Sequence, residues 1–209
     1  MIAIVDYGVG NLLSVQKALA KLDEASILVT NGDALADERV RGVIVPGVGA
    51  FGDAMVALRR QGLLKPLRTY ARAGRPLLGI CLGMQLLFSV SEEHGEHVGL
   101  GFVPGHVRRM RGEYKIPHVG WNQLDFDHGH PLLQGVTSGA YVYFVHSYYV
   151  EPVDPSDVLA TTSYHVPFAS MIAQGNIMGM QFHPEKSGET GLALLKNFAS
   201  MCSAREVGT

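Results

Sequence analysis

The first half of the chain alternates continuous apolar runs with runs in which apolar residues recur every three or four positions. "IAIVDY" (2–7), "SILVT" (26–30), "GVIVP" (42–46) and "PLLGIC" (76–81) are apolar without alternation. That is the pattern of strands buried on both faces of a parallel sheet. Between them, "GNLLSVQKALAKL" places Leu12, Val15, Leu19 and Leu22 at helical spacing, and "AMVALRRQGLLKPLRTYARAG" predicts a helix broken near Gly62 and Pro66. A further helix is expected over "GMQLLFSVSEE", directly after the fourth strand. The alternation predicts an α/β fold whose central, mostly parallel sheet is flanked by helices.

The second half changes texture. "GHVRRM", "VGWNQL", "AYVYFVHSYYV", "DVLATTSYHV", "FASMIAQ" and "IMGMQFHP" are short strand patterns separated by Pro, Gly and Asp, expected as an antiparallel or mixed extension of the same sheet. "GLALLKNFASMC" (191–202) closes the pattern as an amphipathic helix. No repeat or Pro/Ser-rich linker interrupts it, so one domain over residues 1–209 is expected.

Composition narrows the function classes. With 47% apolar and 17% charged residues the chain forms a core and is not disordered. A formal net charge of −2 supplies no field to attract nucleic acid or an anionic membrane. "RRMRGEYK" (108–115) is a local basic exception, readable as a solvated loop or as a docking patch. Two cysteines, Cys81 and Cys202, make no disulfide framework and fit a reducing compartment. Met1 runs straight into a strand pattern without a basic region or cleavage site, and the longest apolar run, "PLLGICLGMQLLF", is too short to span a bilayer. A cytoplasmic location is expected.

Three glycine-rich turns carry candidate chemistry. "GVGAFG" (47–52) matches the dinucleotide pattern G-x-G-x-x-G, yet no Asp or Glu lies between Asp53 and Glu92 to bind a ribose. "DYGVGN" (6–11) lacks a phosphate-binding lysine, which excludes a P-loop. The third turn, "GICLG", sets Cys81 between Gly79 and Gly83 where a strand passes into a helix. Cys81 reads either as a small buried hydrophobe or as a nucleophile on an elbow, with the Leu82 N–H aimed at a developing oxyanion. A helix N-terminus beside it would favour the thiolate.

A cysteine nucleophile needs a base, and the base needs an orienting group. Of nine histidines, His94, His97, His128 and His130 lie in polar loops whose spacing completes no metal site, and His106, His118 and His165 carry no local signal. In "GMQFHPEKSG" (179–188) Pro184 biases His183 toward extended backbone, where residues two apart share a side. His183 and Glu185 are then expected to point together, giving a Cys81–His183–Glu185 triad. Triad chemistry implies acyl transfer through a thioester and leaves peptide, ester and amide donors open.

"GICLGMQLLF", "PGVGAF", "YFVHSYY" and "GMQFHPEKSG" resemble motifs of the class I glutamine amidotransferases. "DYGVGNL" and "PHVGWNQL" narrow the resemblance to the glutaminases that serve imidazole glycerol phosphate synthases in histidine biosynthesis. The resemblance implies that glutamine binds beside Cys81 and that the "PGVGAF" loop supplies a second oxyanion donor near Val48 or Gly49. It implies that Gln85, His146, Ser147 and Tyr148 contact the glutamine. Ammonia would pass to a separate cyclase subunit, a (β/α)8 barrel, since the chain holds no second domain to use it. Neither metal nor other cofactor is implied. Asn11, Trp121 and Lys186 are candidates for the partner interface, Trp121 reading equally as a core aromatic. "SYHVPF" departs from the family's usual Tyr-Gly at His165, and Cys202 reads as packing in the last helix.

Overall fold

The structure, a computed structural model, describes residues 1–127 and 129–203. Its elements run β1 (Ile2–Val5), α1 (Leu12–Lys21), β2 (Ser26–Val29), β3 (Gly42–Gly47), α2 (Phe51–Arg60), α3 (Leu64–Arg72), β4 (Leu77–Cys81) and α4 (Leu82–Leu86). They continue with β5 (Phe88–Ser91), β6 (His97–Val98), β7 (Val103–Arg109), β8 (His118–Gln123), β9 (Tyr141–His146), β10 (Tyr148–Pro152), β11 (Val158–Tyr164), β12 (Val166–Gln174), β13 (Ile177–Met180) and α5 (Gly188–Ser203).

Eleven of these strands form one sheet in the order β2-β1-β3-β4-β13-β12-β10-β7-β5-β6, with β11 on β12. β2, β1, β3, β4 and β13 run parallel, and β12, β10 and β7 continue antiparallel. The apolar runs pack both faces, as their lack of alternation predicts. Ile2 and Ile4 turn to one face with Val15 and Leu19 of α1 and Leu194 and Phe198 of α5. Ala3 and Val5 turn to the other with Leu58 of α2 and Leu67 of α3.

Four expectations need correction. The helix after Cys81 is only Leu82–Leu86, because "FSVS" leaves it as β5 and pairs with β6 and β7. Pro66 does not break the second helical run; it sits in the first turn of α3, where a missing N–H costs nothing, and the break is at Gly62, φ +69°. β8 and β9 do not join the main sheet but pair as a separate two-stranded one, and "AYVYFVHSYYV" splits at Ser147 into β9 and β10. The last strand ends at Met180, short of the expected "QFHP", and joins the two halves of the sheet as a mixed extension, parallel to β4 and antiparallel to β12.

At the departure from Tyr-Gly, His165 adopts a left-handed φ of 61° in the β11–β12 turn. Its ring stacks on Tyr114 with centroids 4.4 Å apart, a contact that glycine could not make. Cys202 is buried in α5 against Phe198 and Gly42, and burial pushes its thiol up to about 12, which fits a packing role.

The parallel strands end together at one edge of the sheet, with Gly47 of β3 opposite Cys81 of β4. The elbow there depends on backbone contact. A Cβ on Gly79 would come within 2.6 Å of the Gly83 carbonyl, and one on Gly83 would strike the carbonyl of Val45. Gly83→Ala is therefore expected to cost about 2–3 kcal/mol of stability, read as a lower Tm in calorimetry.

Candidate active site

Cys81 sits at the elbow with φ 54° and ψ −113°, a left-handed φ strained for a residue with a Cβ. α4 has five residues, so the sharp turn, more than a long helix dipole, presents the thiol. The glycine turns that follow β1 and β3 lie on the same edge of the sheet. Tyr7, from "DYG", donates its hydroxyl to the Pro46 carbonyl at 2.7 Å and so pins the "PGVGAF" loop. Burial, with the Cys81 charge nearby, raises the Tyr7 pKa and keeps that phenol protonated. Gly49 takes φ +97°, and Val48 and Gly49 line the cavity beside Cys81 and Leu82.

His183 and Glu185 meet, though not as extended neighbours. Glu185 lies in a 3-10 turn, Pro184–Lys186, and that turn brings its Oε1 to 2.9 Å from His183 Nδ1. β9 clamps the turn: His183 N donates to the Tyr143 carbonyl at 3.0 Å, and Ser187 Oγ accepts from Tyr143 N and donates to the His183 carbonyl. Burial alone would lower the His183 pKa. Hydrogen bonds and charge from Cys81 and Glu185 overcome it and raise the imidazole's affinity for a proton, as in a thiolate–imidazolium pair. The second carboxylate oxygen, Oε2 of Glu185, is buried with no hydrogen-bond partner among the described residues.

A cavity of about 820 Å³ opens over the thiol. Gln85, His146, Ser147, Tyr148, His183 and Lys186 all line it, together with Glu92, Glu93, Arg109 and Arg111. The basic stretch is thus neither wholly a solvated loop nor a separate patch. Arg108 bridges Glu92 and Glu151 on the surface, while Arg109 and Arg111 face the cavity. Glu92 accepts from the Arg109 N–H, which, with the guanidinium groups, holds its carboxyl below the usual range. Glu93 accepts from the Phe51 N–H at 2.6 Å and so ties the hairpin turn to the start of α2.

Asn11 and Trp121 do not line the cavity. Asn11 is exposed at the start of α1, and Trp121 is 55% exposed on β8, so it is not a core aromatic. Lys186 Nζ lies 6.0 Å from the centre of the Tyr143 ring, and Tyr143 packs edge-on against Trp121. Of the loop histidines, His94 lines the cavity, His97 packs on Gly52, and His130 Nδ1 accepts from the Leu132 N–H; His128 lies outside the described residues. Among the described residues no three His, Cys, Asp or Glu side chains gather to hold a metal ion.

A family model for class-I glutamine amidotransferases matches residues 3–202. The chain belongs to that family. An imidazole glycerol phosphate synthase subunit HisH of Desulfitobacterium hafniense is 52% identical over 199 residues, covering 95% of this chain and 93% of the relative. The HisH subunit of Geobacillus thermodenitrificans is 49% identical over 214 residues, covering 100% and 99%. A solved glutamine amidotransferase superposes with a TM-score of 0.77 at 20% identity, over 97% of this chain and 100% of its own. PurLQS from Thermotoga maritima gives 0.74 at 17%, over 96% and 97%. At those identities the structures speak for the fold alone.

Sequence reasoning about this amidotransferase missed Gln181. It is fully buried, accepts from Gln85 Nε2 at 3.1 Å and points its own Nε2 at the Cys81 sulfur, 3.9 Å away. A glutamine inside the apolar run "IMGMQF" was the available signal, because a buried amide needs partners. His146 and His118 are also buried. Burial is the main cause lowering His146 to about 3 and His118 to about 4. Between about pH 6.5 and pH 4 the unfolded chain binds protons that these folded rings refuse, so stability falls as pH falls through that window. His118→Phe removes one of the two groups. Its Tm should decline less steeply across that range, and a slope as steep as the parent's would contradict a neutral His118.

Proposed function

We propose that the chain is the glutaminase subunit of an imidazole glycerol phosphate synthase, acting in histidine biosynthesis as one domain over residues 1–209. The observation that carries the mechanism is the strained Cys81 lining one cavity with His183, whose Nδ1 lies 2.9 Å from Glu185. The Cys81 thiolate attacks the side-chain amide carbon of glutamine. The oxyanion that forms is met by the N–H of Leu82 and by one near Val48 or Gly49. His183, protonated, delivers its proton to the departing nitrogen, ammonia leaves, and a glutamyl thioester remains. His183, now neutral, takes a proton from water; the hydroxide adds to the thioester, glutamate leaves, and the thiolate–imidazolium pair returns. Glu185 keeps the imidazole oriented throughout. No cofactor takes part.

Gln85, His146, Ser147 and Tyr148 shape the part of the cavity that holds the glutamine. The paired signs of Glu92 and Glu93 against Arg109 and Arg111 suit a zwitterionic amino acid. Ammonia passes to the cyclase subunit, a (β/α)8 barrel, which makes imidazole glycerol phosphate and the aminoimidazole carboxamide ribonucleotide. Asn11, Trp121 and Lys186 meet that partner around the cavity's edge. Among the described residues no helix is long and apolar enough to cross a membrane, and both cysteines are free, in keeping with a cytoplasmic enzyme. The test is glutamate release from glutamine, with the chain alone and with the cyclase subunit and its ribonucleotide substrate. Release that rises strongly in the complex supports the assignment. No release in either setting, or release only from peptides, overturns it.

A further inference from the structure

The mechanism above makes no use of His118, a buried titratable side chain on β8, the strand that also carries Trp121. Its contacts form an ordered chain. His146 Nδ1 lies 2.9 Å from the Tyr148 carbonyl, which can only accept, so Nδ1 carries the proton of that ring. His146 Nε2 is then an acceptor, and His118 Nδ1, 3.1 Å away, must donate to it. His118 Nε2, left as an acceptor, faces the Asn122 amide at 3.4 Å, whose nitrogen also donates to the Ser163 carbonyl at 2.9 Å. The whole sequence has one consistent set of tautomers, fixed at both ends by backbone carbonyls.

The Tyr148 carbonyl is also where Gln85 hangs. Gln85 Nε2 donates to it and to Gln181 Oε1, both at 3.1 Å, and Gln181 Nε2 points at the Cys81 sulfur. With both its N–H bonds committed, the Gln85 amide is held in one orientation where it lines the cavity. We infer that His118 is a positioning residue of the glutaminase site: its proton locks His146 in the Nδ1–H form, and that lock holds the Tyr148 carbonyl and the orientation of Gln85. This rests on the reading of the cavity as the glutamine site. His118 touches neither glutamine nor the reacting atoms and acts through His146.

Stacking offers the competing explanation, because the His118 ring lies on Tyr164 at 4.0 Å and on Phe144 at 4.9 Å. Two substitutions separate the roles. His118→Phe keeps the stacked ring and removes the donor. His118→Asn keeps a donor at the δ position and removes the ring. In the assembled synthase, glutamine-dependent kcat should fall about tenfold in the Phe variant and be largely kept in the Asn variant, with ammonia-dependent cyclase turnover unchanged in both. Imidazole ¹⁵N NMR of the parent should show His146 as the Nδ1–H tautomer, and of the Phe variant a loss of that single form. The reverse order of the two variants, or a parent His146 protonated on Nε2, overturns the inference while leaving the glutaminase assignment intact. A parent inactive on glutamine overturns the assignment instead, and the NMR result still decides whether the tautomer lock exists.

Discussion

Replacing Cys81 by alanine is expected to abolish glutamate formation, by about 10⁴-fold or more, because every later step needs the thioester. The substitution removes a single sulfur atom, so the loss should come without a loss of fold. Two measurements make the interpretation strict. The variant should still assemble with the cyclase subunit, and the assembled pair should still form imidazole glycerol phosphate when given an ammonium salt. Failure of both nitrogen sources would point to misassembly. Normal glutamine hydrolysis by the variant would remove the nucleophile from the account.

Glu185→Gln should lower glutamine-dependent kcat by about 10²–10⁴-fold with little change in KM. Glu185 is buried behind His183, away from the cavity lining, so glutamine binding has no direct reason to weaken. An amide in its place loses the charge that sustains the imidazolium. Its NH₂ also has nowhere to go: if it turns toward Nδ1 it forces the wrong tautomer, and if it takes the Oε2 site it is buried where no partner was found among the described residues. Steady-state kinetics of the complex decides the point. A variant within a few-fold of the parent would mean that the 3-10 turn alone orients His183.

What the sequence disclosed and what it withheld divide along physical lines. The parallel strands were legible because unalternated apolar runs have few other homes, and the elbow because two glycines around a cysteine imply close backbone approach. Gly83, lying against the Val45 carbonyl, is that implication made concrete. The helix after Cys81 was over-extended because "QLLFSVS" satisfies a helical and a strand pattern in overlapping windows, and pairing with β7, distant in sequence, decides between them. The separate β8–β9 ribbon is likewise a tertiary outcome. Glu185 was found on an argument about extended backbone that the 3-10 turn replaces; spacing of two residues allowed both routes to one contact. Gln181, His118 and Glu93 were not found because their meaning lies in partners 42 to 100 residues away or, for His118, in a ring on another strand.

Cys81 as the nucleophile toward glutamine is the point on which the mechanism stands. An electrophilic diazoketone analogue of glutamine tests it directly in the assembled synthase, followed by peptide mapping. One covalent adduct is expected, on Cys81, formed more slowly when glutamine is present, with glutamine-dependent activity lost and ammonia-dependent activity retained. An adduct on Cys202 or on another side chain, with Cys81 unmodified and glutaminase activity gone, would contradict it.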